Sequence, residues 1–161
     1  MALDLDTSTN TSVGNAVWNV KTNNYAGYTL TVFAGAAPAM VRSGGGGNVA
    51  DYTPAIAETP ETWSVAAGAV EFGFSADGAD VIAAFAPTAD TDCIAGADVP
   101  SAGLNWRDFD LTGSADQIAT SAAKTSTSGT DTTLCVAVEQ DTVYADSGTY
   151  TATITATATT L

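Results

Sequence analysis

Apolar and polar residues alternate with a period of two along much of the chain, which is typical of β-strands that bury one face. The clearest example is "GTYTATITATATTL", in which Thr occupies every odd position from 149 to 159. This pattern predicts a strand with one hydroxylated face and one small apolar face. The residues predicted to pack on the core are Tyr150, Ala152, Ile154, Ala156 and Ala158.

Other alternating stretches are bounded by Gly, Asn, Asp or Pro. "NAVWNVKT" and "GYTLTVFAG" predict two strands, and the residues "TNNYAG" between them are typical of a hairpin loop. Further strands are expected in "AVEFGFSA", "DQIATSAAK" and "TTLCVAVEQ". Together these segments predict an all-β fold, an antiparallel β-sandwich of about eight to ten short strands, immunoglobulin-like or jelly-roll.

The length of 161 residues favours one domain that spans positions 1–161. Positions 43–50 are rich in Gly and predict a flexible surface loop rather than a linker between domains. Positions 1–12 are a candidate donor strand, because Leu3 and Leu5 alternate with polar residues. The alternative is an ordinary first strand.

The composition excludes several classes of partner. The chain has 18 acidic residues, 4 basic residues and no His, for a net charge of −14. Proteins that bind nucleic acids or anionic membranes use Lys and Arg to contact the negative charges of these partners. This chain has too few basic residues for that, so neither is expected as a partner. Without His, the chain lacks the most common general base and metal ligand, and we predict that it is not an enzyme. We find no membrane-spanning stretch and no signal peptide, so a secreted protein would be present here in its mature form.

The two cysteines, Cys93 and Cys135, do not form a C-x-x-C motif, which argues against a redox or zinc site. We predict one disulfide between them, and such a bond implies an oxidising compartment. The alternative is a pair of buried free thiols in a cytosolic protein. The disulfide interpretation favours an extracellular or cell-surface location.

Acidic residues are paired at several places in the chain. Loops around Asp77 and Asp80, and around Asp90 and Asp92, are rich in oxygen ligands of the kind that Ca²⁺ prefers. A third pair is Asp108 and Asp110. The alternative is that all are solvated loop residues, and we expect no cofactor other than Ca²⁺.

Trp106 lies among charged residues in "NWRDFD" and is a candidate for stacking on a sugar ring. Such stacking would make the chain a carbohydrate-binding module with a glycan as partner. The alternative is that Trp106 or Phe109 faces the protein interior.

The stretches "SVGNAVWNVKTNNYAGYTLTV" and "SGTYTATITATAT" resemble bacterial extracellular β-sandwich proteins of the pilin, spore-coat and matrix-fibre kind. The matching segments are Val17 to Val32 and Ser147 to Thr159, under a quarter of the chain. The resemblance implies a secreted structural subunit that polymerises by donating a strand to its neighbour. The departure is at the start, where "MALDLDTSTNTS" offers only Leu3 and Leu5 as large apolar groups.

The predicted function is therefore a secreted subunit that assembles with copies of itself into a pilus-like or extracellular matrix fibre. The self-assembly residues would be Leu3 and Leu5, with Tyr150 and Ile154 on the last strand. The alternative is a cell-surface module that binds carbohydrate or another ligand.

Overall fold

The computed structural model describes Leu3, Leu5, residues 10–87 and residues 93–161. Within these ranges the regular structure consists of strands and one short 3₁₀ turn, Thr112–Ser114. The strands are β1 (Thr11–Val20), β2 (Tyr28–Ala34), β3 (Met40–Arg42), β4 (Ala50–Asp51), β5 (Glu61–Thr62), β6 (Val70–Asp77), β7 (Asn105–Trp106), β8 (Asp116–Ser121), β9 (Thr130–Gln140), β10 (Tyr150–Ala152) and β11 (Ile154–Thr160). The predicted all-β fold is confirmed, although several strands are only two or three residues long.

Two sheets form the two layers of the sandwich. Sheet I has the order β1-β9-β6-β4, and sheet II has the order β11-β2-β8. Their pairings are antiparallel except for the short parallel ladder between β4 and β6. Two small ladders, β10 with β3 and β5 with β7, lie beside them.

The first core lies between the two sheets and follows from the alternation of their strands. In β2, Tyr28, Leu30, Val32 and Ala34 are buried on one face. From sheet I, β6 contributes Phe72, Phe74 and Ala76, and β9 contributes Leu134, Val136 and Val138. The ring of Phe109, from the segment between β7 and β8, stacks on both phenylalanines, 4.2 Å from Phe74 and 5.7 Å from Phe72.

A second, smaller core covers the other face of sheet I. Its buried members are Val13, Tyr52, Leu104, Trp106, Cys135 and Ala137. Because β9 places alternate residues in the two cores, five consecutive residues from Leu134 to Val138 are buried. The face of sheet I that points away from sheet II is therefore covered by long connecting segments.

The predicted hairpin between the first two strands is wrong. β1 pairs with β9 along its whole length, whereas β2 pairs with β11 and β8. Residues 21–27 therefore cross from one sheet to the other. Alternation identified both strands correctly, but it contains no information about the partner of each strand.

The last alternating stretch forms β10 and β11, with Thr153 between them. Tyr150, Ala152, Ile154 and Ala156 pack against the first core, as predicted. Ala158 is exposed, which corrects the prediction for that residue. Ala158 pairs with the buried Leu30 of β2, so the core at this end lies under β2 and leaves the neighbouring edge strand β11 uncovered.

Two other features lie in the segments predicted as a donor strand, 1–12, and as a flexible loop, 43–50. Thr11 and Ser12 belong to β1 and pair with Glu139 and Val138, so these two residues of the predicted donor segment are part of sheet I. In the Gly-rich loop, Gly44, Gly45 and Gly46 have positive φ, and Arg42 donates to the carbonyl of Gly45 at 3.0 Å. No helix within the described ranges is long and apolar enough to cross a membrane.

Candidate functional site

A groove with an apolar floor and a polar wall opens at one end of the sandwich, beside β10. Its volume is about 550 Å³. The floor is formed by core residues from several strands, namely Met40, Val49, Phe72, Val136 and Val138. One wall is the segment from Ala145 through β10. The groove is therefore an opening into the first core and not a separate surface depression.

Leu3 and Leu5 lie in this groove. Both side chains line it, and both pack against the first core while remaining partly exposed. Two residues spaced by two positions place their side chains on the same face of an extended segment. The other residues before Asn10 lie outside the described ranges.

The wall of the groove is held by Arg42 and Tyr150. The Arg42 guanidinium donates to the carbonyl of Ser147 at 2.6 Å and lies 3.7 Å from the Asp146 carboxylate. The Tyr150 hydroxyl donates to the carbonyl of Asp146 at 2.7 Å. Tyr150 also pairs with Arg42 through the β10–β3 ladder. These contacts hold in place the segment between β9 and β10 that forms the wall of the groove.

The chemistry of the groove suits the binding of an apolar chain segment. Its floor is apolar, and burying side chains there contributes roughly 25 cal/mol per Å² of apolar surface removed from water. The β10 backbone supplies polar groups at the wall. Such a site favours an extended peptide with alternating large apolar residues.

A second notable feature is an ionic cluster around Arg107. The side chain of Arg107 is 8% exposed, and its guanidinium contacts Asp116 at 2.5 Å and Asp110 at 3.1 Å. It also contacts Glu58, and Asp108 lies 3.7 Å away. Four carboxylates thus surround one cation, which leaves a net charge of about −3 if all are ionised.

The Arg107 cluster connects the two sheets. The backbone N–H and C=O of Arg107 exchange hydrogen bonds with Phe74 of sheet I, at 2.9 Å and 2.8 Å. Asp116 begins β8 of sheet II and pairs with Val32. The ion pair between Arg107 and Asp116 therefore spans the sandwich next to the first core.

The carboxylates of the cluster differ in their affinity for protons. Burial raises the pKa of the Asp116 carboxyl to about 7, although the charge of Arg107 acts in the opposite direction. Burial also raises the pKa of Asp110. The hydrogen bond and charge of Arg107 lower the pKa of the exposed Glu58. Asp116 is therefore the group expected to take up a proton near neutral pH.

We expect Asp116→Asn to flatten the pH dependence of stability between pH 5 and pH 8. From about pH 4 to about pH 7 the folded chain retains a proton on Asp116 that the unfolded chain has lost. The unfolding free energy therefore falls as the pH rises towards 7 and levels off above it. The loss in the unsubstituted chain should be on the order of 2 kcal/mol. Urea titrations at pH 5 and at pH 8 measure this difference in unfolding free energy.

Asp131→Asn is the matched control, because Asp131 is exposed and accepts a hydrogen bond from Asn19 at 2.7 Å. This variant should keep the difference between pH 5 and pH 8. The same difference in the Asp116→Asn chain would show that another group causes it.

The structure describes two of the four predicted Ca²⁺ ligands, and the Ca²⁺ site stays a prediction. Asp80 accepts a hydrogen bond from the Tyr28 hydroxyl at 2.8 Å, and Asp77 ends β6. Asp90 and Asp92 lie outside the described residues. Among the described residues, the carboxylates close enough to share a cation are those of Glu58, Asp110 and Asp116. Arg107 already occupies a position beside these three groups.

The predicted disulfide between Cys93 and Cys135 is confirmed, with Cα atoms 5.6 Å apart. Cys135 is fully buried in β9, on the face that points to the second core. The bond therefore attaches the segment that begins at Cys93 to sheet I. Nearby, Gly96 N–H donates to the carbonyl of Val13 at 2.8 Å.

The assignment of Trp106 as an exposed ligand-binding residue is corrected. Its side chain is fully buried in the second core, and its indole N–H donates to the carbonyl of Ser101 at 3.4 Å. Trp63 contacts it edge-on, with ring centroids 5.3 Å apart. Trp106 borders a cavity of about 300 Å³ from the interior, so its ring face is not available to a sugar.

Sequence reasoning missed the Arg107 cluster as a unit. The pair Asp108 and Asp110 was visible as neighbouring acids, but Glu58 is 49 positions from Arg107. The one available signal is a single Arg followed by Asp108 and Asp110 in a chain with only 4 basic residues. Such an Arg is a strong candidate for a buried ion pair.

Comparison with known proteins gives no relationship on which to base a function. No family model, curated protein or solved structure matches this chain. The resemblance to pilin, spore-coat and matrix-fibre proteins therefore stays a prediction.

Proposed function

We propose that the protein is a secreted structural subunit that assembles with copies of itself into a fibre, by exchanging the segment that carries Leu3 and Leu5. The observation that supports this most directly is the position of these two side chains in an open groove of the first core. A groove filled by a short segment of its own chain can accept the same segment from a neighbour.

Exchange would keep the same side-chain contacts in the groove, but these contacts would form between two copies instead of within one chain. Leu3 and Leu5 of one copy would meet Met40, Phe72 and Val138 of the next. Because donor segment and groove are different surfaces, the contact is heterologous, and repetition that does not close into a ring gives a filament. Tyr150 and Ile154 take part as the strand residues beside the groove, both packed on the first core.

The disulfide supports an extracellular site of action. Disulfides persist in oxidising compartments and are rare in the cytosol. The net charge of −14 keeps separate subunits soluble and opposes assembly at low ionic strength. We therefore expect assembly to increase with NaCl, because the ions screen repulsion between copies.

Cross-linking between different chains tests the exchange. A Leu5→Cys chain, isotopically heavy, is mixed with a light Thr151→Cys chain and treated with a short bismaleimide. Both positions line the groove. We expect heavy–light cross-links in the assembled fraction, together with filaments under the electron microscope. Val17→Cys replaces Thr151→Cys in the control, because Val17 is 57% exposed and lies on β1 outside the groove.

In a chain that carries both Leu5→Cys and Thr151→Cys, the intramolecular cross-link reports how often the segment with Leu3 and Leu5 occupies the groove of its own chain. Cross-links confined to this double variant, with none between heavy and light chains, would contradict the exchange. Replacing both Leu3 and Leu5 by Asp should abolish filaments, since a charged side chain is costly to bury in an apolar groove. Filaments that survive this change would also contradict it.

The alternative of a carbohydrate-binding module has lost its predicted residue, because Trp106 is buried. The most exposed aromatic residue in the described chain is Tyr25, and Lys124 lies over its ring at 5.0 Å. That ring is therefore engaged within the protein on one face. The described residues favour the assembly hypothesis over the binding-module hypothesis.

A further inference from the structure

The outer edge of β11 differs from the other long edges of the sandwich. At the edge of β1 the segment after Cys93 makes a backbone bond at Val13, whose carbonyl accepts from Gly96. The edge of β8 is covered by residues 80–82, through bonds from Ile82 to Ile118 and from Thr120 to Asp80. β11 pairs with β2 alone among the described residues and forms one edge of sheet II.

The backbone groups that face this open edge can be assigned. Gly35 N–H donates to the carbonyl of Thr153 at 2.9 Å, and Leu161 N–H donates to the carbonyl of Gly27 at 3.2 Å. Because bonding alternates along an antiparallel strand, the odd-numbered residues of β11 bond to β2. The N–H and C=O groups of the even-numbered residues therefore point outwards, at Ile154, Ala156, Ala158 and Thr160.

β11 also lacks the features by which proteins usually protect an open edge. It contains no Pro, Lys or other charged residue, and its pairing with β2 continues without a bulge from Ile154 to Thr160. In β2 there is likewise no charge. The one charged residue of sheet II is Asp116, which is buried and paired with Arg107.

The absence of charged residues from the edge strand β11 makes a second copy of the chain a suitable partner. The chain has a net charge of −14, so two copies repel each other over much of their surface. At sheet II they can approach without bringing carboxylates together. We propose that β11 of one copy pairs with β11 of a second copy, antiparallel about a two-fold axis, to form a continuous six-stranded sheet. This inference is independent of the proposed exchange of Leu3 and Leu5.

One register satisfies all of the outward backbone groups. With the two-fold axis at Thr157, Ile154 lies opposite Thr160 of the second copy, and Ala156 lies opposite Ala158. These are the hydrogen-bonded positions, and they give about eight backbone hydrogen bonds. On the outer face of the sheet, Thr157 lies opposite Thr157 of the second copy, and Thr155 lies opposite Thr159 of the second copy. Pairs of β-branched Thr across strands contribute roughly 0.2–1 kcal/mol each.

The dimer is expected to be reversible. One strand from each copy buries far less than the roughly 800 Å² per partner of a standard interface. We therefore expect the dimer to form with increasing protein concentration and to strengthen with NaCl, which screens the repulsion between the acidic copies.

Cysteine cross-linking tests the register in the full chain. Thr157 would face its own copy at a position without hydrogen bonds, where Cα atoms are about 4.5 Å apart and a disulfide can form. Under mild oxidation, Thr157→Cys should form at least about ten times more dimer than Thr155→Cys, whose copies would lie roughly 13 Å apart along the strands. Mixing Thr155→Cys with Thr159→Cys should restore cross-linking. Equal yields from Thr155→Cys and Thr157→Cys would overturn the proposal.

Ala158→Pro tests the edge without a cross-linker. The N–H of Ala158 points outwards, so Pro removes an edge donor and leaves the bonds to β2 in place. In sedimentation experiments on the chain with Leu3→Asp and Leu5→Asp, in which exchange at the groove is blocked, we expect a shift from monomer to dimer. Adding Ala158→Pro to that chain should keep it monomeric with unchanged circular dichroism. A chain with Leu3→Asp and Leu5→Asp that stays monomeric at every concentration and salt level would overturn the proposal, as would a dimer that survives Ala158→Pro.

The two assembly contacts can fail separately. The chain with Leu3→Asp and Leu5→Asp should lose filaments and keep the β11 dimer. The Ala158→Pro chain should lose the dimer and keep heavy–light cross-links at the groove. A dimer that disappears with Leu3→Asp and Leu5→Asp would show that the groove, and not β11, is its interface.

Discussion

Replacing Arg107 by Met is expected to lower the unfolding free energy by about 3–5 kcal/mol at pH 8. The guanidinium lies between four carboxylates, and the side chains of Arg107 and its partner Asp116 are only 8% and 5% exposed. Met fills a similar volume but leaves the acids without their cation. Removing one member of a buried ion pair is costly because the remaining charge is neither solvated nor paired.

The loss should be smaller at pH 5 than at pH 8. Burial already raises the pKa of Asp116 to about 7, and without Arg107 the uncharged form is favoured further. At pH 5 the buried acid is protonated, so fewer unpaired charges remain in the folded state. Chemical denaturation at the two pH values checks this dependence.

Arg42→Met is the control for the loss of one positive charge. Arg42 lies 3.7 Å from Asp146, whose side chain is 66% exposed, and it donates to two loop carbonyls. Its replacement should cost about 1 kcal/mol and should depend little on pH. Equal losses in the two variants, or a loss from Arg107→Met that is the same at pH 5 and pH 8, would contradict the role assigned to the cluster.

Replacing both Cys93 and Cys135 by Ala is expected to cost about 4 kcal/mol of unfolding free energy. The bond closes a loop with a sequence separation of 42, and its loss lets the unfolded chain expand. Ala is chosen because Cys135 is fully buried, so Ser would add an unsatisfied hydroxyl group. Denaturation with urea measures the change.

The unsubstituted chain, reduced under denaturing conditions and kept reduced, serves as the control. It should lose nearly as much stability as the double Ala chain, since the main effect is the missing cross-link and not the missing sulfur atoms. A loss below about 1 kcal/mol in both would show that the second core holds the segment after Cys93 without the bond.

For the candidate site, the sequence supplied the residues but not their arrangement. Leu3, Leu5, Tyr150 and Ile154 were identified as apolar residues in alternating segments, and the structure places all four against the first core. Nothing local to the chain revealed the floor of the groove. Met40, Phe72 and Val138 reach it from three strands that lie far apart in sequence.

Alternation of apolar and polar residues by itself determined the class of fold and the inward faces of β2 and β11. It could do so because the two faces of a strand are set by neighbouring residues of the same chain. The cysteine count determined which residues a disulfide would join, since only one intramolecular pair can be formed. Composition likewise determined the strong negative charge.

Only the tertiary structure decided which strands pair and which side chains meet. β1 pairs with β9 and not with the adjacent β2, and Trp106 is buried although its neighbours in sequence are charged. Glu58, Arg107 and Asp116 come together from three separate segments. These contacts form only when the two sheets and the loops that cover them pack around the core. The residues that meet are distant in sequence, so a local pattern of apolar and polar residues does not encode which of them will pair.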